Sequence, residues 1–164
     1  MRIAAAICLM TVLLAPSLTR AQSISETQQA PPDVNQFEQN YTGAISRGMS
    51  ALEARNFEAA REAFDQAATL AETAGDTRAF ERGRALALRG IATTIPALDG
   101  RSRVQLATAR NAFADFADAR RLLYPFAAIA APDGAVTPQQ ITYAQALAWD
   151  GVLRTSIESS GQNV

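Results

Sequence analysis

A short motif occurs twice in this chain, and this repetition is the feature that most limits how the chain can fold. The motif Ala-Arg-x-Ala-Phe stands at residues 60–64 and again at residues 109–113. Glycine followed by an aliphatic residue precedes each copy and recurs near the C-terminus: Gly48-Met49, Gly90-Ile91 and Gly151-Val152. Self-similarity is typical of stacked repeats, in which no single unit buries its apolar face alone. Such stacks serve mostly in binding, so the repetition limits the function class without naming a ligand.

The first 21 residues have the layout of a secretory signal peptide. A positive start at Arg2 precedes an uncharged run over 3–15, and Thr19 and Ala21 place small residues at −3 and −1 of a cleavage site. This run of 13 residues is shorter than the roughly 20 that cross a bilayer. We therefore expect export and no stable membrane insertion after cleavage, with an uncleaved anchor as the alternative. Assuming a bacterial source, the protein would be periplasmic or secreted.

The composition of the remaining 143 residues excludes several function classes. Without Arg2 and Arg20 the chain carries 13 arginines and 16 acidic residues, a net charge of −3. Nucleic acid is therefore a poor partner, because its phosphates attract a basic surface. The only cysteine, Cys8, lies in the signal segment, so no disulfide can stabilise the expected mature chain.

Histidine and lysine are absent from the whole sequence. Their absence removes the commonest general base, the Ser-His and Cys-His nucleophile pairs and any Schiff-base lysine. Because the expected mature chain lacks cysteine as well as histidine, it has no nitrogen or sulfur ligand for zinc. We expect no cofactor, no metal site and no catalytic residue, since only carboxylate, hydroxyl and arginine chemistry is left.

Start and stop signals predict an all-α domain over residues 34–159, between a flexible leader at 22–33 and a short tail at 160–164. The five predicted helices span about 34–54, 57–73, 78–94, 103–123 and 138–159. Capping boxes are predicted at Asp33 with Gln36, at Ser102 with Gln105 and at Thr137 with Gln140. Asn56 is the predicted cap of the second helix, and Pro125 is expected to kink or end the fourth.

Apolar residues recur at three- and four-residue steps in the second and fourth helices, which predicts that both stripes form the core. The stripes are Phe57, Ala60, Phe64, Ala67 and Leu70, and Leu106, Ala109, Phe113, Phe116 and Leu123. Counted from Gly48, the first stripe and Leu52 fall where the tetratricopeptide repeat family has apolar residues, and the segment 43–72 resembles that family.

This resemblance implies antiparallel helix pairs stacked as a short α-solenoid of about five helices, with a concave groove lined by the inner helices. The second unit, 83–123, matches less well. Gly90 and Ala109 are 19 residues apart, against 12 between Gly48 and Ala60, which places seven additional residues around 95–100. A third inner-type helix around 146–152 has no partner helix after it and is expected to cap the stack.

The resemblance assigns seven residues to the groove: Thr42, Ile45, Met49, Leu52, Arg84, Leu88 and Ile91. Arg84 projects among apolar residues of the third helix, so it either binds a partner's carboxylate or pairs with an internal acid. By contrast, Arg78, Arg82 and Arg89 share one helix face, and we interpret that face as solvated.

Two aromatic residues are candidate interface residues, each with a structural alternative. Trp149 belongs either to the core or to an exposed interface on the fifth helix. Phe126 lies in the apolar segment 124–134, which either covers the end of the stack or contacts a partner.

These features predict a protein- or peptide-binding module without catalysis. One alternative is a carboxylate-dependent hydrolase of envelope polysaccharide, for which Glu58 with Glu62 and Asp115 with Asp118 are the visible acidic pairs. Both pairs are expected on solvated helix faces. A second alternative is a structural subunit of an envelope complex.

Overall fold

The computed structural model describes residues 34–98, 106–132 and 134–159, and all regular structure within them is helical. The five α-helices are α1 (Val34–Glu53), α2 (Phe57–Thr73), α3 (Ala79–Leu98), α4 (Leu106–Ala127) and α5 (Pro138–Ser159), with a 3₁₀ turn at Asp76–Arg78. The predicted all-α class and helix number are thus confirmed. The predicted signal peptide, the leader and the tail lie outside the described residues.

Two predicted caps are present with the expected hydrogen bonds. The Ala59 amide donates to Asn56 Oδ1 (3.3 Å) at the start of α2. Thr137 and Gln140 form a reciprocal capping box, with distances of 3.0 Å and 3.1 Å between each amide nitrogen and the other side chain. Because four amides of a helix start have no intrahelical partner, these side chains help to determine where α2 and α5 begin. The predicted boxes at Asp33 and Ser102 include residues outside the described part of the chain.

Two helices extend past their predicted ends and include a proline. α3 continues through Pro96 to Leu98, and α4 continues through Pro125 to Ala127. A proline removes the hydrogen bond of its own amide, and its ring crowds the carbonyl four residues earlier, but close to a helix end many carbonyls lack a partner in any case. After Pro125 the ladder resumes with a 3.0 Å bond from the Ala128 amide to the Tyr124 carbonyl. The third helix therefore extends past its predicted end at about residue 94 and includes residues 95–98.

Consecutive helices run antiparallel. Glu72 at the end of α2 pairs with Arg82 at the start of α3 (2.7 Å), and Leu123 near the end of α4 packs beside Gly83 of α3. α1 and α3 therefore run in the same direction, and the hydroxyl of Tyr41 on α1 donates to the Glu81 carbonyl on α3 (2.8 Å). α5 packs against both α4 and α3. None of the described helices combines the length and apolar character needed to cross a membrane.

Glycines bring the core helices close together. Gly48 of α1 lies against the ring of Phe64, and a Cβ on Gly90 of α3 would lie 2.8 Å from Phe116 Cε1. Phe64 and Phe116 are both fully buried. The packing thus makes Phe116 the counterpart of Phe64, whereas the duplicated sequence motif suggested Phe113. Phe113 is only partly buried and packs at the edge of a second cluster.

We predict opposite effects of the same substitution at two glycines. Gly90→Ala should destabilise the protein by about 1–3 kcal/mol, since the buried Phe116 ring must shift to admit a methyl group. Gly151→Ala, the matched control, should stabilise it by about 0.5–1 kcal/mol, because nothing lies within 4 Å of the added Cβ. Urea unfolding of both variants measures the difference, and a stabilising Gly90→Ala would contradict the contact with Phe116.

Candidate functional site

An open cleft of about 430 Å³ lies between α1, α3 and the first turns of α5. α1 contributes Met49 to the cleft. The cleft-lining residues of α3 recur at helical spacing, so one face of α3 forms most of the cleft surface. The lining residues are Met49, Phe80, Arg84, Ala87, Leu88, Ile91, Pro138, Gln139, Ile141, Thr142 and Gln145. The cleft therefore combines aliphatic and aromatic walls with neutral polar groups and a single charge, which is the usual composition of a small binding site.

Four of the seven residues assigned to a groove line this cleft: Met49, Arg84, Leu88 and Ile91. The other three do not. Ile45 is only 7% exposed and belongs to the core, and Leu52 is partly buried against the same core. Thr42 is exposed on α1 but does not contribute to the cleft. α1 therefore contributes fewer residues to the cleft than the resemblance implied.

Arg84 differs from the other arginines of this region. Its side chain is exposed, it is the one charged residue that lines the cleft, and among the described residues it has no hydrogen-bond or ion-pair partner. The internal acid proposed as an alternative is therefore not observed in this part of the chain. Arg84 also lies near Tyr41, whose pKa is raised by burial, while the positive charge of Arg84 opposes that rise.

The α5 wall of the cleft was not predicted from the sequence. The cap at Thr137 located the start of this helix, but the helix is apolar on several faces, so periodicity could not show which face lies over α3. Gln140 further constrains the position of α5. Its side-chain amide nitrogen donates to the carbonyls of Ala127 (3.3 Å) and Ile129 (3.4 Å). The cap thereby fixes the start of α5 against the end of α4.

The interpretation of Arg78, Arg82 and Arg89 as a solvated face is wrong. Arg78 pairs with Glu38 (2.7 Å) and lies 4.4 Å from the ring centroid of Phe37. Arg82 pairs with Glu72, as described above. These two pairs tie the 3₁₀ turn and the start of α3 to neighbouring helices, since Glu38 lies on α1 and Glu72 on α2.

Arg89 joins three helices. Its guanidinium binds Asp65 of α2 and, in a bidentate manner, Asp115 of α4, with distances of 3.0 Å from Nε to Oδ2 and 2.5 Å from Nη2 to Oδ1. The hydrogen bonds to Asp115 raise the pKa of Arg89. Burial raises the pKa of Asp115, and Arg89 opposes this rise. Asp115 is therefore a buried, ion-paired carboxylate, and its expected place on a solvated face is wrong.

A second cavity, of about 480 Å³, surrounds this ion-pair cluster. It is lined by Arg61, Glu62, Asp65, Arg89, Thr93, Thr108, Asn111, Ala114 and Asp115. Asp118 lies outside it and pairs with Arg121 on the exposed surface (3.1 Å). Glu58 is likewise exposed and pairs with Arg61 (3.2 Å), as a solvated helix face requires. No group of three or more potential metal-ligating side chains occurs among the described residues.

Trp149 and Phe126 are both partly buried. Trp149 packs against the cluster that contains Phe116 and Leu153. Phe126 contacts Phe80 edge-to-face at 5.6 Å between ring centroids, so it covers the start of α3. The segment 124–134 is therefore only partly a cover for the core, because Tyr124 and Ile129 within it are more than half exposed.

We predict that Arg89→Gln destabilises the protein by about 3 kcal/mol at pH 7, because it leaves the buried Asp115 carboxylate without its counterion. A carboxyl group whose folded-state pKa is raised favours folding at low pH and loses that contribution as pH rises. The destabilisation caused by Arg89→Gln should therefore be smaller at about pH 4 than at pH 7. Urea unfolding at both pH values tests this, with the exposed Arg121→Gln as the matched control, expected to change stability by at most about 0.5 kcal/mol.

The comparisons with known proteins give no family for this chain: no protein-family model, curated protein or solved structure matches it.

Proposed function

We propose that this protein is an exported binding module that holds a peptide or protein segment in the cleft between α1, α3 and α5, without catalysis. The observation that carries the proposal is Arg84, an exposed guanidinium that lines an otherwise uncharged cleft and has no partner among the described residues. Arg82 and Arg89 on the same helix, and Arg78 in the 3₁₀ turn before it, all pair with acids.

The chemistry of the cleft favours a ligand with one carboxylate next to an apolar group. A guanidinium offers two parallel donors to a carboxylate, and partial exclusion of water strengthens such a pair. Leu88 and Ile91 provide an aliphatic surface beside Arg84. A peptide C-terminus that ends in an aliphatic residue has both features, as does an acidic side chain followed by an aliphatic one.

The expected stacking supports this assignment. In a tetratricopeptide-like stack the inner helices face a common groove, and here α1, α3 and α5 contribute to one cleft. We include this stacking arrangement in the proposal. The weak negative charge and the expected signal peptide suit a peptide or protein partner in the bacterial envelope better than nucleic acid.

The hydrolase alternative has less support from the same geometry. Its acid would need a carboxyl group that is held protonated and free to donate. Asp115 is the buried carboxylate of the polar cavity, but both of its oxygens accept hydrogen bonds from Arg89. Incubation of the purified protein with peptidoglycan and chitin-like oligomers tests this alternative, and hydrolysis that is lost in Asp115→Asn would favour it.

We predict that short peptides with a C-terminal aliphatic residue and a free carboxylate bind the protein, and that their amidated counterparts bind more weakly. Arg84→Ala should weaken binding of the free-carboxylate peptides by about 2 kcal/mol, since it removes one member of a charged pair. The melting temperature should hardly change, because an exposed side chain without partners contributes little to stability. Calorimetry and thermal unfolding of the same variant measure the two quantities.

Arg110→Ala is the matched control, because Arg110 is exposed on α4 and lies outside the cleft. It should leave peptide affinity unchanged. Equal binding of free and amidated peptides to the wild-type protein would contradict the proposal, as would a large stability loss in Arg84→Ala with unchanged affinity.

A further inference from the structure

The sequences of α3 and α5 are similar at several positions besides the glycine that they share. Residues 84–94 read Arg-Ala-Leu-Ala-Leu-Arg-Gly-Ile-Ala-Thr-Thr, and residues 145–155 read Gln-Ala-Leu-Ala-Trp-Asp-Gly-Val-Leu-Arg-Thr. Five of the 11 positions are identical, and Ile91 and Val152 are both β-branched. Gly151 is therefore the counterpart of Gly90, and Thr155 of Thr94.

The two helices differ in what covers these matching positions. In α3, Leu86, Ala87 and Thr94 are buried, and α4 places the Phe116 ring on Gly90. In α5, the matching Leu147 is 41% exposed, and the other matching positions Ala148, Gly151 and Thr155 are exposed as well. A Cβ on Gly151 would meet nothing within 4 Å.

An uncharged part of the exposed side of α5, here called the α5 outer face, is formed by Ile141, Ala144, Leu147, Ala148, Gly151 and Val152. It has no charged residue and continues over three turns of helix. A contiguous apolar surface that is exposed to water is typical of interaction sites. The neighbouring interfaces show what such a surface accepts, because Gly48 and Gly90 each receive a phenylalanine ring from the helix that follows.

The two helices that carry these rings, α2 and α4, share a strip of one phenylalanine between two alanines. Alanines flank the ring four residues before and three residues after it, Ala60 and Ala67 around Phe64, and Ala112 and Ala119 around Phe116. All four of these alanines are fully buried or nearly so. Small residues beside the ring let the two helix axes approach, and the glycine then accommodates the ring itself.

We propose that the α5 outer face binds an amphipathic helix of a partner protein, which presents an Ala-x3-Phe-x2-Ala strip and places its phenylalanine ring on Gly151. In the printed sequence this strip occurs only in α2 and α4, where it already packs on α1 and α3. A second copy of the chain has both of its strips engaged in the same way, so the occupant comes from a different protein. The interaction continues the helix stack and does not involve Arg84, although Ile141 at the start of this face also lines the cleft.

A synthetic peptide with the α4 sequence, residues 106–127, is the probe, since it carries the strip that the matching face of α3 accepts. Labelled peptide should bind the full-length protein, and Gly151→Leu should weaken this binding by at least about tenfold through steric exclusion of the ring, as for a central interface residue. The peptide variant Phe116→Ala should lose affinity to a similar extent. Gly43→Leu on α1 is the matched control and should bind the peptide normally, since a Cβ there meets only the end of the Arg47 side chain at 3.5 Å.

Thermal unfolding of Gly151→Leu should show a melting temperature at or above that of the wild type, which separates loss of docking from loss of folding. Absence of peptide binding to the wild type would overturn the proposal, as would binding that Gly151→Leu leaves intact. Sedimentation velocity tests whether a second copy of the chain binds instead. Self-association that Gly151→Leu abolishes would assign the face to a second copy and overturn the proposal of a helix from a different protein.

Discussion

The contact of a phenylalanine ring with a glycine backbone is the interaction on which the rest of this structure depends. Most of the fully buried side chains are alanines, which contribute little apolar area each. Close approach of the helices compensates, and it requires Gly48 and Gly90 under Phe64 and Phe116. A methyl group at either glycine would separate two helices and loosen the contacts of many small residues at once.

Charged groups align the helices that these rings bring together. Arg89 binds carboxylates on the helices before and after its own, and Asp150 on α5 has a related position, pairing with Arg120 of α4 at 3.1 Å. Because these pairs join different helices, they restrict how far one helix can slide along the next, although Asp150 also pairs with Arg154 of its own helix at 3.3 Å. Breaking such a bridge leaves a buried charge without its counterion, so the loss of one partner costs more stability than the intact pair adds.

Two surfaces remain available for partners once the core and these bridges are formed. The cleft offers one cation among apolar walls, which suits a carboxylate-bearing segment. The α5 outer face offers small and aliphatic residues without charge, which suits a helix with an aromatic ring. The ligands proposed for the two surfaces differ in chemistry, and the surfaces meet at Ile141 near the start of α5. Within the part of the chain that the structure describes, no acid pairs with the arginine in the cleft, whereas Arg82 and Arg89 of α3 both have acidic partners.

The sequence by itself determined the all-α class, the helix number, and the starts of α2 and α5, because Asn56, Thr137 and Gln140 act within one turn of their own position. It also identified Phe64 and Phe116 as core and placed Arg84 away from the other α3 arginines, since both conclusions follow from helical periodicity. Local patterns could not locate the acids that face Arg89, the burial of Asp115 or the α5 wall of the cleft. These features depend on the rotation and register of separate helices, and only packing between residues distant in the sequence decides them.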